Sequence, residues 1–266
     1  MTTLTRVAST PMGGSRAGRL IERNLMVYRR TWIVIVSGFF EPLFYLLGIG
    51  FGIGALVGGV TAPDGAPITY AMFLAPGLLA SSAMNGAIYD STFNIFFKLR
   101  YAKTYDAMLS TPLGVGDVAI GEITWALIRG TLYAMGFLAV MLLLGLVRSP
   151  WIVLALPAAM LIGFAFAAVG MAGTTFVRRW TDFDLIFVAT LPMFLFSGTF
   201  YPITAYPPGL QLIVQCTPLY QGVALLRSLS LGLVGPGTLV HVAYLAVMGL
   251  IGLSIAWRRL DRVLLK

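Results

Sequence analysis

The sequence predicts an all-α integral membrane protein with six transmembrane helices, an N-terminal interfacial helix and an outer re-entrant helical hairpin between spans 5 and 6. The chain is 58% hydrophobic and only 11% charged, a composition that suits a bilayer and not a soluble protein of this length. Of its 18 Lys and Arg residues, 15 fall into four short clusters separated by long apolar runs. Every second connection between those runs is nearly free of positive charge. Because Lys and Arg in short loops stay on the cytoplasmic side, both termini are predicted to be cytoplasmic.

The four basic clusters mark the predicted cytoplasmic edge of the membrane. They are Arg6, Arg16, Arg19, Arg23, Arg29 and Arg30; Lys98, Arg100 and Lys103; Arg178 and Arg179; and Arg258, Arg259, Arg262 and Lys266. Anionic lipid headgroups attract such clusters, so the net charge of +8 indicates contact with membrane lipids and gives no reason to expect nucleic acid. Arginine far outnumbers lysine, and Ala, Gly and Val are abundant, which is typical of a GC-rich bacterial gene. We therefore predict a multi-pass protein of the bacterial cytoplasmic (inner) membrane.

The predicted elements form a single transmembrane domain over residues 1–266. Residues 17–30 place apolar side chains on one helical face and arginines on much of the rest, which predicts a helix lying on the inner leaflet. Because a crossing needs about 20 residues, each of the main apolar runs is long enough to span or nearly so. The predicted spans are 32–56, 70–89, 118–147, 151–177, 185–200 and 238–257.

The segment 194–226 is predicted to be a broken or re-entrant hairpin at the outer face. Its prolines interrupt any continuous helix, since proline removes a backbone donor and clashes with the preceding turn. Counting 210–226 as a full crossing would also place the C-terminal arginines outside, against the charge pattern. Non-helical backbone at membrane depth is tolerated only where other protein buries it.

Several catalytic classes lack the residues they need. No glycine-rich loop precedes any of the three lysines, so the chain has no phosphate-binding loop of its own and we expect it to bind no cofactor. His241 is the single histidine, which excludes a catalytic triad or a multi-histidine metal site within one chain. Cys216 is the single cysteine, so no intrachain disulfide forms.

Charged residues within the spans are costly and are therefore candidates for function. Glu41 lies ten residues into the first span, and Glu122 and Arg129 lie seven apart on one face of the third. In one interpretation Glu41 and Arg129 shape a polar pathway or pair across a subunit seam. In the other, which we favour, Glu122 extends to the inner interface while Arg129 and Glu41 pair as a structural contact.

Aromatic residues gather around the predicted outer hairpin, where they could form a gate that stacks on sugar rings or acyl chains. They are Phe194, Phe196, Phe200, Tyr201, Tyr206 and Tyr220. An ordinary belt of interfacial aromatics is an equally good explanation of this pattern.

The connection at 97–113 contains a helix-forming stretch that ends at the turn Thr111-Pro112-Leu113. Together with Ser197-Gly198-Thr199-Phe200-Tyr201-Pro202 and Thr217-Pro218-Leu219-Tyr220, in this order, it resembles the permease subunit of ABC-2 type exporters. The likeness extends over nearly the whole chain and is closest to the branch that exports drugs, lipooligosaccharides and polysaccharides.

The resemblance implies a transport subunit without enzymatic activity, which works as a homodimer or as a heterodimer with a similar permease. A separate ABC ATPase subunit would bind ATP and Mg and supply the energy. The resemblance also assigns ATPase coupling to a short cytoplasmic helix, whose candidate residues are Lys98, Arg100, Ala102, Lys103, Thr104, Tyr105, Asp106, Met108 and Leu109. The substrate it suggests is an amphipathic drug, lipid or lipid-linked glycan, which also suits the short outer loops.

Two other classes remain open from the sequence. An ion-gradient-driven secondary transporter would need coupling acids at mid-membrane depth, for which Glu41 is the candidate. A membrane-embedded transferase would need an acidic constellation near the interface, for which Asp182 and Asp184 are the candidates. We prefer to interpret those two aspartates as the cap of the fifth span, because acids favour a helix N-terminus.

Overall fold

A computed structural model of the chain describes Gly18 and residues 20–26, 40–62, 64–111, 113–177 and 179–264. Most of these residues are helical, and five helices within them are long and apolar enough to cross a membrane. The predicted class, a helical integral membrane protein, is confirmed. The helices are α1 (20–26), α2 (Phe40–Val57), α3 (Tyr70–Tyr89 with an extension), α4 (Thr104–Leu109), α5 (Val115–Leu143), α6 (Ala155–Thr174), α7 (Phe183–Leu195), α8 (Pro208–Gln215), α9 (Pro218–Leu231) and α10 (Pro236–Leu264).

Helix α1 and Gly18 are the described part of the predicted interfacial helix. The remainder of 17–30 and the start of the first span at residue 32 lie outside the described residues. Leu20 is buried against α5, where a Cβ on Gly121 would lie 2.8 Å from its Cδ1. Leu25 and Met26 are exposed, at 60% and 61%. The segment therefore packs on α5 through one face and leaves an apolar face uncovered.

Helix α3 is longer than the sequence suggested. Beyond Tyr89 it continues through the wider π-helical turns Asp90–Asn94 and Phe97–Tyr101. No Gly or Pro interrupts this stretch, so nothing in the local sequence ends the helix. Lys98 and Arg100, which we predicted in a loop, therefore lie on the end of the second membrane helix.

A small β-hairpin occupies the outer loop predicted at 60–69. Strand β1 (Gly59–Thr61) pairs antiparallel with β2 (Pro67–Thr69). Within the turn, Asp64 accepts a hydrogen bond from the Ala66 N–H and Gly65 has φ +83°. An Asp-Gly pair between two short β-prone stretches is a hairpin signal, which our sequence interpretation did not use.

Helix α6 is the centre of the bundle and packs against α3, α5, α9 and α10. Its contact with α10 is very close, because a Cβ added to Gly252 would lie 2.8 Å from the backbone nitrogen of Val169. Small residues at such contacts let transmembrane helices approach closely and gain dispersion energy that lipid cannot replace.

Helix α7 has 13 residues, so it is about 20 Å long and shorter than the hydrocarbon core of a bilayer. It corresponds to the predicted span 185–200. After it the chain turns through Ile203–Ala205 into the short helix α8 and then α9, in the region of the predicted hairpin 194–226. The six-span count and the re-entrant depth of this region stay predictions.

The turn between α7 and α8, at the predicted outer face, packs tightly on the N-terminal half of α3. A Cβ added to Gly77 would lie 2.9 Å from Thr199 Cγ2 and 3.0 Å from Thr199 Cα. Ser197 and Thr199 are fully buried, and their hydroxyls lie 2.7 Å apart. Gly77 therefore makes room for the turn.

Replacing Gly77 with Ala tests this contact. The added methyl group must displace Thr199, and overpacking of this kind costs about 1 to 3 kcal/mol. We expect a lower melting temperature of the detergent-solubilised protein. Gly86→Ala, on the same helix, is the matched control, because its Cβ would meet nothing closer than Tyr133 at 4.0 Å and Ala is the better helix former. Equal melting temperatures for the two variants would contradict the packing role of Gly77.

Candidate coupling and translocation sites

Helix α4 is anchored by two buried side chains. Tyr105 is 1% exposed and Met108 is 8% exposed. They belong to an apolar cluster that joins α4 to α1, α3, α5, α6 and α10. Its other members are Leu20, Ile95, Val115, Val118, Ala119, Ile123, Met171, Ala172, Ala256 and Leu260. A force applied to α4 therefore reaches several membrane helices directly.

The opposite side of α4 is open. Ala102, Lys103, Ala107 and Ser110 are exposed, while Thr104 is half-buried. The side chains of Arg100, Asp106 and Leu109 lie outside the described part of the chain, as does Pro112. Lys103 has φ +45°, a left-handed conformation that reverses the chain between the end of α3 and the start of α4. Among the described residues of this segment, Ala102, Lys103, Ala107 and Ser110 are accessible to a partner.

Glu122 forms a buried ion pair with Lys98. The Lys98 Nζ donates to both carboxylate oxygens at 2.8 Å, and the Glu122 side chain is 3% exposed. Our favoured interpretation, in which Glu122 extends to the inner interface, is therefore wrong. The longer α3 explains the difference, since it carries Lys98 alongside α5.

The Tyr105 hydroxyl is buried close to Glu122. Burial raises the pKa of the Tyr105 phenol well above its ordinary value, and the nearby Glu122 carboxylate raises it further. The phenol is therefore neutral and can act as a donor. In this structure the Tyr105 hydroxyl makes no hydrogen bond to any described residue. A small displacement of α4 could complete or lengthen this contact.

Arg129 pairs with Asp90 and not with Glu41. Its Nη2 donates to Asp90 Oδ1, and both side chains are buried. The pairing of Arg129 with Glu41 inside one chain is therefore wrong, while a polar pathway and a contact across a subunit seam stay predictions. The sequence reasoning missed Asp90 because we ended the second span at Tyr89. An acid followed by eight residues without Gly or Pro is a signal that could have extended the helix to include it.

Glu41 lies on α2 beside a small polar cleft against α3 and α7. The residues around the cleft are Glu41, Pro42, Tyr45, Leu78, Ser81, Ser82, Asn85 and Phe194. Glu41 itself is exposed. It is therefore placed on the open side of α2, with hydroxyl and amide groups of α3 nearby.

The outer aromatic residues form two contacting groups. Phe194 meets Phe200 edge-on with ring centres 5.1 Å apart, and Tyr45 of α2 joins them at 6.0 Å. Tyr206 contacts Tyr201 at 5.1 Å and Phe196 at 5.9 Å. Tyr220 of α9 is not in either group. Its ring lies 3.6 Å from the position of a Cβ on Gly198.

Arg227 holds the outer turn to α3, and the sequence reasoning assigned it no role. Its guanidinium donates to the carbonyl oxygens of Gly198 at 2.9 Å and Phe73 at 3.2 Å, and stacks 3.9 Å above the Phe73 ring. The Tyr70 hydroxyl adds a bond of 2.8 Å to the Phe200 carbonyl. A cation in an otherwise apolar outer helix is the signal that could have identified it.

Asp182 and Asp184 occupy the start of α7. Asp182 Oδ2 accepts a hydrogen bond of 3.0 Å from the Arg179 N–H, and Asp184 lies in the first helical turn. The hydrogen bond of Asp182 caps the 3-10 turn Trp180–Asp182 that precedes α7, while Asp184 lies in the first turn of α7, where acids are favoured.

The comparisons with known proteins decide the family. The ABC-2 type transporter family matches residues 17–231. This chain belongs to the ABC-2 type transporter family. Nodulation protein J of Rhizobium leguminosarum bv. viciae is 32% identical over 264 residues, covering 96% of this chain and 99% of the relative. Nodulation protein J of Sinorhizobium fredii is 33% identical over 247 residues, covering 91% and 92%. That of Rhizobium meliloti is 32% identical over 240 residues, covering 89% and 87%.

Membership confirms the resemblance drawn from the motifs. The chain is the membrane-spanning subunit of an ABC-2 type transporter, and its role is transport. The secondary transporter and the transferase are therefore set aside. The ABC-2 family match covers α4, both buried ion pairs and the outer turn, so each lies within the family domain.

The Asp90–Arg129 pair provides a test of the buried ion pairs. Removing one partner of such a pair leaves an uncompensated buried charge and costs about 3 to 5 kcal/mol. We expect Arg129→Gln alone to lower the melting temperature strongly, and Asp90→Asn with Arg129→Gln to recover much of the loss. Thermal unfolding in detergent, measured for both single variants and the double, gives the coupling energy. Strictly additive effects of the two substitutions would show that the two side chains do not stabilise each other.

Proposed function

We propose that the chain is the permease subunit of an ATP-driven exporter in the bacterial cytoplasmic membrane. Two copies, or one copy and a similar permease, form the membrane pathway, and a separate ABC ATPase binds ATP and Mg. The cargo is an amphipathic drug, lipid or lipid-linked glycan taken from the cytoplasm or the inner leaflet. The observation that carries the proposal is the position of α4, buried through Tyr105 and Met108 and open on its other side.

The arrangement of α4 suits the transfer of force. It connects α3 to α5, and these two helices are also tied by the Lys98–Glu122 and Asp90–Arg129 pairs. An ATPase that pushes on the exposed side of α4 would move α3 and α5 together. Coupling of this kind needs an element with two discrete arrangements, and the Tyr105 hydroxyl beside Glu122 is a candidate for it.

The orientation follows from the charges at the two ends of the bundle. Lys98, Lys103 and Arg179 lie at or beyond the C-terminal ends of α3 and α6, and Arg259 of α10 stacks on Phe176 just beyond α6, so the basic residues gather at one end of the bundle. The outer end carries Asp64 and Arg148. The positive-inside rule then favours a cytoplasmic α4 and C-terminus. With α7 as a short fifth span and α8–α9 as a re-entrant hairpin, the chain makes six crossings.

The exposed faces of α2 and α7 support an assembly of two permease subunits. Only 17% of the residues of α2 are buried, and Phe183 is the one buried residue of α7. Both helices present large apolar side chains on the same side of the bundle as the outer aromatic groups, since Tyr45 and Phe194 are in contact. The exposed apolar residues of α2 and α7 include Phe40, Phe44, Leu47, Phe51, Leu185, Phe187, Val188 and Leu191. We infer that a second permease covers this surface and that Glu41 lies at the seam.

Co-purification tests the coupling role of α4. Ala107→Arg adds a bulky cation to the exposed side of α4 and leaves Tyr105 and Met108 in place. We expect the tagged chain to lose its ATPase subunit while it remains folded. Thr181→Arg, in another exposed connection at the same end, is the control and should retain the ATPase.

Tyr105→Phe keeps the burial and removes the hydroxyl, so we expect normal ATPase recovery with reduced export.

The result that would contradict this role is equal ATPase recovery with Ala107→Arg and with Thr181→Arg. Recovery of a folded chain with no ATPase from the wild type would contradict the ATP-driven function itself.

The outer aromatic groups are expected to act as a gate. Tyr201 and Phe196 are partly exposed, at 36% and 41%, so their replacement by Ala should leave the fold intact and slow export. Trp151→Ala is the control, because Trp151 is an exposed aromatic at the outer end of α6, outside both aromatic groups. Export rates in membrane vesicles, normalised to folded protein, provide the measurement. Equal slowing by all three replacements would indicate an ordinary interfacial belt.

A further inference from the structure

One face of α10 changes abruptly from apolar to basic. Residues on this face recur every three or four positions, as one side of a helix requires. The apolar members are Val240, Ala243, Tyr244, Val247, Met248, Ile251, Gly252 and Ile255. The same spacing continues directly to Arg258, Arg259 and Arg262. The face is therefore amphipathic along its length, with the apolar part inside the membrane and the basic part at its edge.

The apolar part of this face lines an open groove. Together with Val169 and Ala172 of α6, these residues line a groove with a volume of about 640 Å³. The floor is formed where Gly252 brings α10 against the α6 backbone. From Val240 to Ile255 the groove extends for about 22 Å, whereas one leaflet contributes about 15 Å of hydrocarbon. An acyl chain lying in it would therefore contact protein over its whole length.

The basic end of the groove presents guanidinium groups that can bind an anion. Arg258 and Arg262 are exposed. Arg259 is fixed by stacking 3.9 Å above the ring of Phe176, which lies one turn beyond Ala172 on the α6 side of the groove. The Arg259 Nε is buried and has no hydrogen-bond partner among the residues that the structure describes. Guanidinium groups at a membrane edge bind phosphate strongly, through charge and paired N–H donors.

We propose that this groove is a binding site for an anionic phospholipid, with one acyl chain between α6 and α10 and the headgroup phosphate on Arg258, Arg259 and Arg262. With the orientation proposed above, the lipid comes from the inner leaflet. The site faces away from the α2–α7 surface, because α10 packs on α6 and α5 while α2 packs on α3.

A second copy of the chain is a poorer occupant of the groove. Two copies related by an axis along the membrane normal would place their α10 arginines at the same depth and next to each other. Like charges brought together across an interface oppose association. An anionic headgroup neutralises the same arginines.

Lipid selectivity of the purified chain tests the proposal. The wild type, in detergent micelles containing equal amounts of phosphatidylglycerol and phosphatidylcholine, should retain one phosphatidylglycerol in native mass spectrometry. Each arginine near a membrane surface contributes about fivefold to the affinity for an anionic lipid, so Arg258→Gln with Arg262→Gln should weaken retention about 25-fold. Because both residues are exposed, their replacement leaves the packing of α10 unchanged.

One further variant tests the acyl-chain site separately from the headgroup site. Val247→Trp fills the groove and should abolish retention of the lipid with all arginines present. Val188→Trp, on the exposed face of α7, and Arg148→Gln, at the other end of the bundle, are the matched controls and should retain it.

Three outcomes would overturn the proposal. The first is equal retention of phosphatidylcholine and phosphatidylglycerol by the wild type. The second is unchanged selectivity in the double arginine variant. The third is efficient cross-linking of two chains through Val247→Cys in a Cys216→Ser background, which would show that a second copy occupies the groove.

Discussion

Two buried ion pairs of opposite polarity set the register between α3 and α5, and the rest of the structure depends on that register. Asp90 of α3 meets Arg129 of α5, and Lys98 of α3 meets Glu122 of α5. Sliding the helices in one direction would bring Lys98 towards Arg129, and sliding them in the other would bring Asp90 towards Glu122. Either shift places like charges together in a medium that screens them poorly. The apolar surfaces of the two helices would tolerate several alignments, whereas the charges permit one.

This register makes α3 a direct connection between the two ends of the molecule. At its inner end it leads into α4, whose Tyr105 lies beside Glu122. At its outer end Phe73 accepts from Arg227 and Gly77 packs on Thr199 of the outer turn. The helix extends over Tyr70–Leu99, about 45 Å, without a loop that could absorb a displacement. A tilt imposed at α4 would therefore change the contacts of the outer aromatic groups.

The sequence predicts those parts of the structure that depend on composition and on local pattern. Hydropathy located the long spans, and the helix-forming stretch before Pro112 located α4. It could not assign the partners of buried charges, because a single sequence does not show which face of a helix meets which neighbour. Glu122 and Arg129 were recognised as costly, but Asp90 was missed at the end of a span, and Arg227 was given no role. In both cases the missing information was the tertiary contact.

Glu41 is the remaining charge within a span, and its position supports the seam between two permease subunits. It lies on the open side of α2, beside the serine and asparagine groups of α3. An ionised carboxylate facing lipid near the middle of the membrane is costly, so such residues face protein or water-filled space. Arg129 pairs with Asp90, and the groups of α3 beside Glu41 are neutral, so we propose a second subunit or an aqueous path as that environment. We infer that the α2–α7 surface becomes the wall of a partly polar pathway when two subunits meet, with the outer aromatic groups at its exit.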